Sequence, residues 1–175
     1  MTSTTGEKGA ILLLGGTGTV GTRIAPLLSS QNYTPILASQ SGSSSSSYST
    51  VKFDWTDSST WSSALESHTS IKAVYIIASG MADPGPTAKQ FIELALERGV
   101  KRFVLQSATS VPEGGYAMGK IHSTLREMGD AGRLEWGVIR PTWFQGSFYS
   151  LSLFSRHVLT WKQKTSSTKI SGSNL

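Results

Sequence analysis

Ala10–Leu14 is an unbroken apolar run ended by two glycines, the pattern of a strand buried on both faces of a parallel sheet. Behind it Val20, Ile24, Leu27 and Leu28 recur at helical spacing, with Pro26 among them either kinking the helix or sitting where a missing N–H is harmless. The same alternation continues down the chain. Residues 34–38 and 51–53 predict the second and third strands, with a serine-rich flexible loop, residues 39–50, between them. Residues 58–67 predict a helix with Trp61 and Leu65 on one face, and residues 73–78 a strongly apolar fourth strand.

Pro84-Gly85-Pro86 reads as a loop, followed by a helix over 87–98 that carries Phe91, Leu94 and Ala95 on one stripe and ends at Gly99. Arg102–Gln106 predicts the fifth strand, residues 116–128 a helix, and residues 134–139 a sixth strand. Six strands alternating with helices predict an α/β fold, a doubly wound parallel sheet of the Rossmann type. From Ser150 the pattern stops. The expected organisation is a dinucleotide-binding domain over 1–149 and a basic, Ser/Thr-rich tail over 150–175, with the substrate-side portion missing or supplied by another chain.

Composition changes this picture little. The 175 residues carry no cysteine, which excludes disulfide frameworks, zinc–thiolate clusters and thiol catalysis. The net charge of +5 suggests nucleic acid until it is placed along the chain. Arg156, Lys162, Lys164 and Lys169 supply +4 of it without any acid beside them, so residues 1–150 are close to neutral and no nucleic-acid partner is expected. No apolar run approaches the ~18–20 residues of a membrane span, and no leader pattern surrounds residues 10–14, so a cytoplasmic protein without a membrane partner is expected.

The chemistry lies in the turns. Gly15-Gly16-Thr17-Gly18-Thr19-Val20-Gly21 stands between a buried strand and a helix, where glycines permit a tight turn and backbone amides reach a pyrophosphate at the positive helix end. Gly15, Thr17, Gly18, Thr19, Val20 and Gly21 are therefore candidate contacts of NAD(P)H. The second strand ends in Ser39-Gln40, without the acid that selects an unphosphorylated ribose and without an arginine for a 2′-phosphate, which inclines the reading toward the phosphorylated cofactor through Ser39 and Ser41. Asp54 and Trp55 follow strand three as candidates for the adenine edge. Asp54 bonding loop amides, with Asp57 or Ser58 capping the next helix, is the structural alternative. Ala78 and Ser79 leave room beside the cofactor. Ser107, Tyr116 and Lys120 form the candidate catalytic set: Tyr116 and Lys120 are four residues apart on one predicted helix face, where an ammonium assists a phenol in proton transfer and a serine orients the acceptor. Arg140-Pro141-Thr142-Trp143-Phe144 leaves strand six at the nicotinamide end, with Thr142 for the carboxamide and Trp143 and Phe144 as a substrate wall or, equally, core packing. No histidine or carboxylate spacing suggests a metal.

Several stretches together resemble a known family. Leu14-Gly15-Gly16-Thr17-Gly18 with residues 23–28, Phe53-Asp54-Trp55, residues 99–105, Ala117-Met118-Gly119 with His122, and residues 140–144 are similar to the NmrA-like atypical short-chain dehydrogenase/reductases. Within that family they resemble the fungal ergot-alkaloid reductases that festuclavine and agroclavine dehydrogenases typify. The resemblance covers residues 10–149. It implies NAD(P)H-dependent reduction of a clavine iminium formed from chanoclavine-I aldehyde, an alkaloid small-molecule substrate, and a second subunit supplying the carboxy-terminal half. Members of the subgroup often lack the tyrosine matching Tyr116 and carry arginine near Gln40, so this chain departs from them at both places. Dinucleotide binding without turnover, as a regulator, and an inactive fragment are the alternatives.

Overall fold

The computed structural model describes residues 8–43, 47–78 and 83–142, all within one compact unit. Six parallel strands, β1 (Ala10–Leu14), β2 (Thr34–Ser39), β3 (Ser49–Lys52), β4 (Ile71–Ile76), β5 (Arg102–Gln106) and β6 (Glu135–Ile139), lie in the order β3-β2-β1-β4-β5-β6. This is the doubly wound sheet expected from the sequence. β1 is central because its residues are apolar on both faces: Leu13 pairs with Leu37 on one side and Tyr75 on the other. The strands wind outward from β1 to β3 on one side and from β4 to β6 on the other, so the topological switch point falls between β1 and β4, at whose carboxyl ends such sheets bind ligands in a crevice.

Two cores follow from strand alternation. Leu12, Leu14, Val74, Ile76, Phe103 and Leu105 face helices α2 (Ser59–Glu66), α3 (Pro84–Glu97) and α4 (Met118–Asp130), whose Trp61, Phe91, Ile121 and Leu125 are buried among them. Leu13, Leu37 and Tyr75 point to the opposite face, where α1 (Gly21–Ser30) contributes Ile24 and Ala25. Phe53, Trp55, Trp61 and Phe91 form an aromatic cluster, with Phe53 edge-on to Trp55 at 4.9 Å and to Phe91 at 5.1 Å. α1 runs through Pro26, whose missing N–H leaves the Thr22 carbonyl without its helical donor at an exposed position, where solvent can reach it.

Two boundaries differ from expectation for local reasons. Pro84-Gly85-Pro86 is not a loop but the first turn of α3. The Asp83 side chain accepts from the Gly85 amide at 3.2 Å, and Pro84, with no N–H to satisfy and φ preset, begins the helix. The last helix begins at Met118, not Tyr116, because Ala117 takes a positive φ of 53° that breaks the helical path. Residues 44–46 of the expected serine loop, Ser79, Trp143, Phe144 and the expected 149/150 domain boundary lie outside the described residues.

Candidate functional site

β1 delivers the chain to the crevice at Leu14, and Gly15 turns it with φ +69°, a conformation that needs no Cβ. The Gly16 amide returns to the Ala38 carbonyl at 3.0 Å, tying the turn to the end of β2. The turn then folds so tightly against α1 that a Cβ on Gly21 would collide with the Gly16 backbone. The amides of Thr17, Thr19, Val20 and Gly21 donate to no described residue. Val20 caps α1 with no side-chain hydrogen bond, and no acid stands in its first turn. N–H groups that donate to no described residue, at an uncapped helix start beside the exposed Gly18 and Thr19, suit an anion, and the site fits a diphosphate on those grounds.

On the β2–β3 side, Ser39 Oγ lies 3.3 Å from Ser41 Oγ, so both hydroxyls stand together at the end of β2. Asp54 Oδ1 accepts from the Thr56 amide at 2.8 Å and the Thr56 hydroxyl at 2.7 Å, which holds its carboxyl below the ordinary range. Its Oδ2 receives only a long 3.4 Å contact from Gln40 Nε2 among the described residues, so acceptor capacity remains. Asp54 thus bonds loop groups, and Asp57 Oδ1 takes the Ser59 amide at 3.1 Å at the start of α2. The Trp55 ring is buried in the aromatic cluster, and its backbone amide donates to no described residue. The Trp61 indole donates to the Asp54 carbonyl at 2.8 Å and fixes this corner to α2.

On the β4–β6 side, Ala78 is buried beside the crevice. Ser107 is 3% exposed; its amide donates to the Ile139 carbonyl at 2.8 Å, while its hydroxyl has no hydrogen-bond partner among the described residues. A buried orphan hydroxyl costs about 1–3 kcal/mol unless something bonds it. Lys120 lies in the first turn of α4, but its Nζ donates to Asp83 Oδ2 at 2.7 Å. Tyr116 precedes α4 and is 72% exposed, so the shared helix face expected for Tyr116 and Lys120 does not exist. The Gly114-Gly115 turn and the strained Ala117 displace Tyr116 from the helical phase, a local effect that residue spacing does not reveal. Thr142 is exposed past the end of β6.

Two residues matter more than the sequence suggested. Asp83 both caps α3 and holds Lys120; an Asp directly before Pro-Gly-Pro was a readable signal for the cap. Arg140 donates from Nε to the Ala108 carbonyl at 3.3 Å and from Nη2 to those of Thr109 and Val111 at 2.9 and 3.0 Å. No spacing rule announced it. A second depression, about 400 Å³, lies at the opposite sheet end among Ser70, Lys72, Arg98, Lys101, Arg102 and Glu135. No helix amino end among the described residues borders it, and Arg98 and Arg102 there are already paired with Glu66 and Glu135, so the glycine turn is the stronger candidate for a diphosphate.

Comparison with known proteins gives the family and the fold. A family model described as NAD(P)H-binding matches residues 15–148. Festuclavine synthase II of Penicillium roqueforti is 34% identical over 139 residues, which are 77% of this chain and 47% of that protein. Agroclavine dehydrogenase of Claviceps purpurea is 36% identical over 79% of this chain and 48% of its own length. An uncharacterized oxidoreductase, YesF of Bacillus subtilis, is 36% identical over 83% of this chain and 48% of its own. The chain therefore spans about half the length of the curated relatives it matches. Among solved structures, a short-chain dehydrogenase/reductase superfamily protein from Agrobacterium tumefaciens with bound NAD superposes with a TM-score of 0.61 at 20% identity, over 75% of this chain and 48% of that one. UDP-glucose 4-epimerase from Brucella ovis in complex with NAD gives 0.59 at 18% identity, over 75% and 51%. Both share the fold.

Proposed function

Because this chain belongs to the NAD(P)H-binding family, we propose that it is the cofactor-binding half of a reductase that reduces the iminium of a clavine-type alkaloid, with a second polypeptide supplying the substrate side. The observation that carries the reading is the set of unbonded amides at Thr17, Thr19, Val20 and Gly21 over the uncapped start of α1. The names of the relatives, festuclavine synthase and agroclavine dehydrogenase, supply the substrate class.

The dinucleotide, when bound, supplies a hydride. This chain's residues hold and orient. The glycine turn takes the diphosphate; Asp54 Oδ2 and the Trp55 amide take the adenine edge; Ser39 and Ser41 take the adenosine ribose and its 2′-phosphate, favouring NADPH. Ala78 and Ser79 leave space where the cofactor crosses the sheet. Ser107 offers its orphan hydroxyl to the nicotinamide end or the substrate, Lys120 reaches the second ribose on leaving Asp83, and Thr142 bonds the carboxamide. Trp143 and Phe144, which lie outside the described residues, follow Thr142 in the chain and are assigned to the substrate side. An iminium carbon is already cationic, so reduction needs no proton donor, and Tyr116 is not required to give one. Positioning is worth ~7–11 kcal/mol against the ~10²–10⁴-fold of acid–base help, so a site that only aligns donor and acceptor suffices.

A second reading, dinucleotide binding without turnover, draws support from Tyr116 standing exposed while Lys120 is held by Asp83, which leaves no assembled Tyr–Lys pair for a substrate that needs a proton donor. One experiment separates the two. NADPH and NADH binding are measured by calorimetry, and NADPH oxidation is followed with a clavine iminium, using the 175-residue chain alone and mixed with the carboxy-terminal half of a relative. Turnover in the mixture supports the reductase. Tight binding with no turnover in any mixture supports the second reading, and no binding by folded protein removes both.

A further inference from the structure

We propose that Arg140 is a positioning residue that fixes the β5–α4 loop at the nicotinamide end of the crevice. The inference rests on the dinucleotide reading of the site and adds to it the element that shapes its far wall. Beyond the last paired residues of β5 and β6 the two chains stay joined. The Ser107 amide bonds the Ile139 carbonyl at 2.8 Å, the Thr109 amide bonds the Pro141 carbonyl at 3.1 Å, and the Thr109 hydroxyl reaches the same carbonyl at 3.4 Å. Between these rungs the Arg140 guanidinium donates to the carbonyls of Ala108, Thr109 and Val111. The Ala108 carbonyl also accepts the Val111 amide at 3.1 Å, closing a turn, whereas those of Thr109 and Val111 accept from no other described group, so Arg140 is what holds these two inward and not toward water. The planar fork of arginine spans them; the single ammonium of lysine, a point donor, does not.

The position gives the clamp its consequence. In a sheet of order β3-β2-β1-β4-β5-β6 the adenine half of a dinucleotide lies toward β2 and β3 and the nicotinamide half toward β4 and β5. The clamped loop starts at Ser107, whose buried hydroxyl has no described partner, and ends at Gly115, just before the turn into α4 and Lys120. Arg140 itself is exposed, and its described hydrogen bonds all go to the loop.

The test uses the whole 175-residue chain with Arg140→Lys and Arg140→Gln. Amide exchange is read over residues 107–115, where the Thr109, Val111, Gly114 and Gly115 amides are bonded, and over α1 as control. Both variants are expected to speed exchange in the loop about tenfold and leave α1 unchanged. Affinity for ADP, which reaches only the glycine turn and adenine corner, should hold, while affinity for NADPH falls about tenfold as the preorganised wall is lost. Wild-type exchange in Arg140→Lys overturns the proposal, as does faster exchange that includes α1 or an equal loss for ADP and NADPH. If the wild-type chain binds neither nucleotide, the dinucleotide reading falls, and the exchange pattern still decides whether Arg140 is the clamp.

Discussion

Lys120 Nζ meets Asp83 Oδ2 at 2.7 Å, so the first turn of α4 is tied to the residue that caps α3. The hydrogen bond from Lys120 is the largest reason that the Asp83 carboxyl titrates below its ordinary value, with the Gly85 amide adding to it against some desolvation. A depressed carboxylate contributes stability above its unfolded value and loses it as pH falls through the folded value. Asp83→Asn keeps the cap acceptor and loses the ion pair, whereas Asp83→Ala loses both. Thermal unfolding at pH 7 should rank wild type above Asn and Asn above Ala, and the gap between wild type and Asn should close as pH drops below 3.8. A gap that persists in acid would assign the effect to something other than the ion pair.

The glycine turn separates folding from binding at two positions. A Cβ on Gly21 meets the Gly16 backbone, so Gly21→Ala should unfold at lower denaturant and bind nothing. A Cβ on Gly18 meets only the Gly15 carbonyl oxygen, at 3.2 Å, and Gly18 is exposed. Gly18→Ala should keep a Tm near wild type and lose about tenfold or more in NADPH affinity, about 1.4 kcal/mol, because the methyl stands where backbone must approach the diphosphate. Calorimetry and a melting curve on the same sample decide it.

Phe91 is fully buried and its ring contacts Phe53, Trp55 and Trp61. Phe91→Ala should lower unfolding free energy by about 3–5 kcal/mol through lost transfer and a residual cavity. Urea titration followed by tryptophan fluorescence reads both the loss and the changed surroundings of Trp55 and Trp61.

Burial pushes the Tyr75 hydroxyl up to about 12, and it donates to Gln106 Oε1 at 2.9 Å across the β4–β5 pair. Since the unfolded phenol ionises near 10, stability should be full below pH 10 and fall between pH 10 and about 12 as the unfolded state loses its proton first. Tyr75→Phe should remove that component of the alkaline loss, and at neutral pH should cost about 1–2 kcal/mol for the unpaired Gln106 oxygen. Unfolding curves of both proteins from pH 8 to 12 test the sign.

Much of the fold was legible because parallel strands buried on both faces must be apolar throughout. Ala10–Leu14 and Arg102–Gln106 could be bounded to the residue, and the glycine turn was readable because strand, glycines and helix occur in one short stretch. The α3 start was missed although Asp83-Pro84 is a cap followed by a first-turn proline, since Pro-Gly-Pro also suits a loop. The Trp55 ring, read from the sequence as standing beside an adenine edge, belongs to the core, and only burial distinguishes a ligand-facing aromatic from a packed one.

Local pattern therefore determined the alternation of strands and helices, the burial of β1 on both faces and the glycine turn between β1 and α1, because each depends on residues adjacent in the chain. Tertiary structure alone decided that Lys120 faces Asp83 and not Tyr116, that Ser107 is buried without a described partner, and that Arg140 grips the loop at Ala108, Thr109 and Val111. Those partners are separated by some thirty residues or, as with Tyr116, by one strained backbone angle, and no periodicity in the chain encodes where such groups meet.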